Sequence, residues 1–209
     1  MTAPIDFAAI EPGQSVLIAG PAMTDKRRLV LETLAERAEG GAAVVTTRKS
    51  AATIRREFDG LADLGALKFR VVDCVSRQRA VRGAGGDADV QYASSAGDLT
   101  GIGMKLSGIM QEFYHDAEVD TAGIGLHSLS AMLMYADVRR VYQLVHVITG
   151  RIESSGFVGA VAFDTVPGDT EALNRLKGLF DAIIEVRDDP DRALRVRGAA
   201  IGPREWTAF

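Results

Sequence analysis

Eight residues, Gly20-Pro21-Ala22-Met23-Thr24-Asp25-Lys26-Arg27, follow the apolar run Ser15-Val-Leu-Ile-Ala and precede a strongly helical segment. A glycine and a lysine separated by five residues, between a strand and a helix, match most of the phosphate-binding loop G-x-x-x-x-G-K-[ST]. In such a loop the glycines let backbone N–H groups wrap a phosphate, the lysine neutralises it and the hydroxyl holds Mg²⁺. Here Asp25 stands in place of the second glycine and Arg27 in place of the hydroxyl. Gly20, Thr24, Asp25, Lys26 and Arg27 thus form a candidate phosphate site with parts missing.

The departures have physical weight. A carboxylate at Asp25 falls at a helix N-terminus, where a phosphate would otherwise meet orphan N–H groups and the positive end of the helix dipole. Two like charges about 4 Å apart at an effective dielectric of about 20 repel by roughly 4 kcal/mol before any cation offsets them. Read locally, Asp25 is the N-cap of an amphipathic helix, and this reading is preferred to an intact nucleotide cradle. Whether its carboxylate fills the anion site or swings away stays open. Arg27 adds a cation but cannot ligate a metal.

The elements that would position these residues alternate between strand and helix, the pattern of a parallel sheet with crossover helices. Strands are expected at 15–19, 42–47, 68–74, 121–127 and 158–164. Residues 181–187 and 193–197 alternate as a terminal antiparallel pair turned by Asp188-Asp-Pro-Asp191. Helices are expected at 25–38, 51–64, about 100–116, 137–155 and 169–180. In the fourth, Val138, Val141, Tyr142, Val145, Ile148 and Ile152 recur at helical spacing while His146 falls on another face. The stretch 76–97 lacks periodicity and reads as a mobile surface loop, its Arg77, Arg79 and Arg82 facing water.

Composition bounds the rest. The chain has 209 residues, 47% of them hydrophobic, enough for a full core in a single domain spanning 1–209. A formal charge of −4 argues against global attraction to nucleic acid. The single cysteine, Cys74, excludes an internal disulfide framework and suits the cytoplasm. No apolar run approaches the roughly 20 residues that span a bilayer, and no secretory signal is evident, so no membrane association is expected. Nucleophile elbows, zinc-ligand spacings and the G-x-G-x-x-G fingerprint are not evident, and no metal site is expected.

The order of strand, phosphate loop, helix and further strand–helix steps resembles the RecA-like P-loop ATPases, particularly the KaiC-like branch. Asp73-Cys-Val-Ser-Arg-Gln, Ser94–Gly103, Leu129–Asp137, His146-Val-Ile-Thr-Gly-Arg151 and the ending Leu194–Gly198 through Glu205-Trp-Thr-Ala-Phe209 are similar to a family of uncharacterised haloarchaeal KaiC-like proteins. The likeness covers almost the whole chain. It implies a RecA-like α/β fold, with a mainly parallel central sheet flanked by helices.

The resemblance also locates the remaining machinery. In active KaiC-like enzymes the second strand is followed by acidic residues, one of which polarises the attacking water. This chain has Arg48 and Lys49 there, and neither is a base. The Walker B segment, which ordinarily ends in an Asp associated with Mg²⁺, corresponds to Ala122-Gly-Ile-Gly-Leu-His127-Ser128, and His127 is a poor ligand for a hard cation. Asp25, Arg27, Arg48 or Lys49, and His127 therefore depart together. Phosphoryl transfer depends on positioning and electrostatics, so hydrolysis is expected to be absent or negligible. Asp164, ending a strand at the edge where ligands bind in open α/β sheets, could pair with His127 as a proton-transfer or metal unit. The preferred reading has both as strand-end residues satisfied by nearby backbone.

The expected function is that of a catalytically inactive pseudo-ATPase, regulatory or scaffolding, acting through a protein partner or self-association and needing no cofactor. The alternative is a nonhydrolysing sensor that holds ATP or ADP without Mg²⁺ through Lys26, Arg27, Arg48 and Lys49. Nucleic-acid binding is the weakest of the three readings.

Overall fold

The computed structural model describes residues 4–76, 89–166 and 171–209, and its centre is a nine-stranded sheet. Its strands are β1 (Ser15–Gly20), β2 (Gly40–Thr46), β3 (Lys68–Asp73), β4 (Val90–Tyr92), β5 (Thr121–Leu126), β6 (Val158–Asp164), β7 (Ala182–Arg187), β8 (Ala193–Gly198) and β9 (Thr207–Ala208). They lie in the order β4-β3-β2-β5-β6-β1-β7-β8-β9. Pairing is parallel from β4 to β7 and antiparallel through β8 and β9. The mainly parallel sheet and the C-terminal antiparallel pair both match expectation.

The helices are α1 (Lys26–Arg37), α2 (Ala51–Asp59), α3 (Leu99–His115), α4 (Ser130–Leu133), α5 (Val138–Ser155) and α6 (Glu171–Leu176). The central strands are continuous apolar runs because both faces are covered, as parallel sheets require. Successive side chains point to opposite faces. Val16 and Ile18 of β1 join the core beneath α1 and α2, while Leu17 and Ala19 join the core beneath α3 and α5. The first core includes Leu34, Ile54 and Phe58, and the second Leu106, Ile109, Phe113 and Val145.

Two glycines permit close approach. A Cβ on Gly125 of β5 would lie 2.7 Å from Leu34 Cδ1, so its absence lets α1 settle on the sheet. A Cβ on Gly20 would lie 2.6 Å from the Val186 carbonyl oxygen. Gly20 is therefore required by the neighbouring strand β7 as well as by the loop it begins.

Several boundaries differ from the sequence reading. Part of the stretch read as a mobile loop is ordered: Val90–Tyr92 pairs in parallel with Val71–Asp73. The strand is too short to carry a periodic signal. Arg77, Arg79 and Arg82 lie outside the described residues. Helix α2 stops at Asp59, because Gly60 and the turn after it supply no further helical register. Helix α6 ends at Leu176 and tightens into a 3₁₀ turn, Lys177–Leu179. Helix α1 is not simply amphipathic, since Leu29, Val30, Leu31 and Leu34 bury a broad sector. His146 is exposed, its ring stacked on Tyr142 at 6.1 Å.

The caps make a local prediction. Asp98 accepts from Gly101 N at 2.9 Å and from Ser94 Oγ at 2.9 Å at the start of α3. The Gly101 backbone bond, followed by the Ser94 hydroxyl, holds its carboxyl below the usual range. Asp98→Ala should cost about 1 kcal/mol near neutral pH. Because the folded value is depressed, the contribution is complete above the ordinary carboxylate range and fades as pH falls through the depressed value. Urea denaturation of both proteins at neutral pH and at the acid end should show the gap closing.

Candidate functional site

The site is assembled at the carboxyl edge of the sheet, where β1, β6, β5 and β2 end side by side. Leaving β1, the chain turns through Pro21–Asp25 into α1. Met23 and Asp25 take positive φ, 64° and 54°, the left-handed region that non-glycine residues seldom enter. Asp25 thus has a backbone conformation that glycine adopts freely, at the second-glycine position of the motif. Thr24 Oγ1 donates to the Pro21 carbonyl at 2.9 Å, and Lys26 Nζ donates to the same oxygen. The loop is tied to itself.

Asp25 precedes α1 but does not cap it with its side chain. Its Oδ2 lies 3.0 Å from Arg192 Nη1, and the residue is exposed. This corrects the N-cap reading and answers the question left open: the carboxylate swings away toward the turn after β7. The backbone carbonyl takes over, accepting from Arg28 N and Leu29 N at 2.8 and 3.3 Å.

A different carboxylate meets the cations. Gly20 and Asp164 are register partners on β1 and β6, so Asp164 ends its strand directly beside the start of the loop. Its Oδ1 lies 2.7 Å from Lys26 Nζ, and its Oδ2 lies 2.6 Å from Arg27 Nη2 and 3.4 Å from Arg48 Nη1. The Lys26 contact is charge against charge, at angles that fall short of a hydrogen bond. Lys26 is 1% exposed and the Asp164 side chain 12%. Burial pulls the Lys26 ammonium below its ordinary pKa, outweighing the attraction of Asp164. Ser130 Oγ accepts from Asp164 N at 2.7 Å and fixes the strand end.

The turn carrying Arg48 and Lys49 is built from β2, β3 and α2. Thr46 Oγ1 donates to the Lys49 carbonyl at 2.7 Å, and Ser50 Oγ caps α2 through Thr53 N at 3.4 Å. Asp73, wholly buried at the end of β3, accepts from Ala51 N at 2.8 Å, Val75 N at 2.7 Å, Ser76 N at 2.9 Å and Ser76 Oγ at 2.7 Å. Lys49 Nζ turns to Glu57 at 2.5 Å.

His127 follows β5, held by its backbone N–H donating to the Val45 carbonyl at 3.0 Å. It is 1% exposed, and among the described residues neither ring nitrogen has a hydrogen-bond partner. Burial first, then the positive charges of Lys49, Arg27 and Arg48, push its pKa down to about 3 against the weaker pull of Asp164. The imidazole is neutral at physiological pH. Ser128 is also buried with an unpartnered hydroxyl, while its carbonyl accepts from Thr47 Oγ1 at 2.9 Å. A cleft of about 490 Å³ opens between α1 and α2, lined by His127, Arg27, Lys49, Leu31 and Leu61 among others.

The structure therefore brings Lys26, Arg27, Arg48 and Asp164 into one cluster, leaves Lys49 and His127 at its side, and turns Asp25 out of it. The expectation that Asp164 and His127 are satisfied by backbone fails for both side chains: Asp164 is held by cations, and the His127 ring meets no hydrogen-bond partner among the described residues. They do not form a hydrogen-bonded pair. Arg192 and the Pro21 carbonyl were not anticipated, because only the folded loop brings them to Asp25 and Lys26. Among the described residues, no group of three or more His, Cys, Asp or Glu side chains could hold a metal ion.

The model of a family of unknown function (DUF7504) matches residues 13–186. No curated protein matches. Among solved structures, the chain is similar to the crystal structure of a KaiC-like protein from the hyperthermophilic archaeon Pyrococcus horikoshii. The TM-score is 0.61 at 11% identity, covering 100% of this chain and 90% of that one. The likeness supports the RecA-like, KaiC-like fold.

Proposed function

This chain belongs to DUF7504, a family of unknown function, and we propose that it is a RecA-like pseudo-ATPase: a regulatory or scaffolding protein that acts through protein association and does not turn over ATP. The observation that carries the reading is the Asp164 carboxylate in contact with Lys26, Arg27 and Arg48 at once. The lysine that would neutralise a phosphate is buried against an internal anion. A nucleotide phosphate would have to displace that carboxylate or lie beside it, where like charges repel. The motif offers arginine where a metal-binding hydroxyl belongs, and a neutral, buried imidazole where a hard cation expects oxygen.

Association is supported by apolar side chains left on the surface. Met104, Tyr114 and Val147 are exposed on α3 and α5, and Met134, Tyr135 and Val166 lie around α4 and the end of β6. Met104 and Val147 line one groove and Met134 and Val166 another, and exposed apolar groups brought together favour protein contacts. The cytoplasm is the proposed compartment, a reading supported by the single cysteine, Cys74, which leaves no internal disulfide for an oxidising compartment to maintain. Among the described residues no helix is long and apolar enough to cross a membrane.

A second reading, the Mg²⁺-independent nucleotide sensor, is favoured by one feature. Three cations share one carboxylate, so the cluster keeps a positive surplus, and Arg48 is 53% exposed. Phosphate-release assays with ATP and Mg²⁺ should give no turnover above a heat-denatured control. Light scattering over a hundredfold concentration range should show assembly; a strictly monomeric protein that recovers no partner from its native host would overturn the association reading.

A further inference from the structure

We propose that the cleft between α1 and α2 is a binding site for a small organic monocarboxylate, with His127 as its polar floor. The inference goes beyond the pseudo-ATPase reading and concerns the cleft beside the Asp164 cluster, which shares Arg27 with it. His127 lines this cleft, is 1% exposed, and has both ring nitrogens unpartnered among the described residues. A buried polar group left without a partner costs about 1–3 kcal/mol, so a ligand that satisfies it is favoured over an empty cleft. A neutral imidazole presents one N–H donor and one acceptor nitrogen. A carboxylate oxygen can accept a hydrogen bond from that N–H.

Charge selects the class of ligand. The cleft is lined by the cations Arg27, Arg28 and Lys49 and the carboxylates Asp25 and Glu57, a surplus of one positive charge. Arg48 and Asp164 stand just beyond, Asp164 paired with Arg27 of the cleft wall and with Arg48. A single negative charge matches the surplus; several would meet Asp164, Glu57 and Asp25. The Arg27 Nε is buried and unpartnered, a further donor on the same wall. Leu31 and Leu61 supply an apolar surface for the body of the ligand, and the volume of about 490 Å³ admits a compact metabolite rather than a peptide.

Histidine-labelled protein permits a direct test, because the chain has only three histidines. His115 and His146 are exposed, so a variant carrying both His115→Gln and His146→Gln assigns the His127 signals without touching the cleft. Benzoate is the probe, with acetate, benzyl alcohol and Mg²⁺-free ATP as comparisons. Benzoate should shift the His127 imidazole resonances saturably with a Kd of about 1 mM, as a fragment of its size would. Acetate should bind at least about tenfold more weakly for want of the apolar contact. Benzyl alcohol and ATP should leave His127 unmoved, and Leu61→Asp, at a half-buried wall position, should weaken benzoate about tenfold.

No saturable shift at about 10 mM benzoate would overturn the proposal, since binding weaker than this is below the expected range. Equal shifts with benzyl alcohol, or a His127 shift caused by ATP at lower concentration than benzoate, would also overturn it. The readout is independent of turnover. A failed benzoate titration leaves the pseudo-ATPase reading standing, whereas ATP hydrolysis would overturn that reading and leave this one to its own test.

Discussion

Asp164→Asn is expected to lower the unfolding free energy by about 3–5 kcal/mol, the cost of leaving a buried charge without its partner. Lys26 is 1% exposed and lies 2.7 Å from the lost carboxylate, while its other polar partner among the described residues is the Pro21 carbonyl. Arg27 and Arg48 lose the same anion but reach more solvent, so Lys26 carries most of the penalty. The substitution keeps the shape of the side chain and removes the charge, so the loss is electrostatic. Part of it should return on adding pyrophosphate, because a ligand bound by the folded state alone stabilises it in proportion to the logarithm of its concentration. Urea denaturation with and without pyrophosphate measures both effects. Asp25→Asn is the control: its exposed pair with Arg192 should contribute less than about 1 kcal/mol, and asparagine tolerates the left-handed backbone. Equal, small losses in the two variants would show that Asp164 is an ordinary strand-end residue.

Asp73→Ala should be comparably damaging, at about 3–5 kcal/mol. The buried carboxylate accepts from three backbone N–H groups and the Ser76 hydroxyl, and each buried donor left without an acceptor costs about 1–3 kcal/mol. Its bond to Ala51 N fixes the first turn of α2 and with it the turn that presents Arg48 and Lys49. The site should therefore loosen along with the fold. Amide hydrogen exchange should accelerate at Ala51, Val75 and Ser76 more than at β5, which shares none of these bonds. Uniform acceleration through the sheet would place the effect of Asp73 in global stability alone.

The architecture was legible because β1, β2, β3, β5 and β6 are largely apolar runs bounded by polar or glycine-rich turns. The antiparallel β7–β8 pair followed from alternation around Asp188-Asp-Pro-Asp191. The short β4 escaped because three half-buried residues, Val90, Gln91 and Tyr92, carry no period. At the site, the types and positions of Lys26, Arg27, Arg48 and Asp164 were readable, but their convergence was not. Residues 26 and 164 meet because β6 pairs beside β1, a fact of strand order that no local pattern encodes. Asp25 misled for a related reason. Its type and place fit a cap, but the left-handed backbone directs its carboxylate to Arg192, far along the chain. His127 stands out by type in its strand-end position, while the want of a partner for its ring nitrogens among the described residues emerges only from packing.

Calorimetric titration with ATP and ADP, with and without Mg²⁺ at fixed salt, addresses the central claim most directly when the natural protein and Asp164→Asn are run side by side. The natural protein should give no binding heat with either nucleotide, and the variant should gain binding that does not depend on Mg²⁺, because its three cations have lost their internal anion. Micromolar, Mg²⁺-dependent binding by the natural protein accompanied by phosphate release would contradict the account: it would mean that Asp164 yields to a nucleotide and that the loop is a working one.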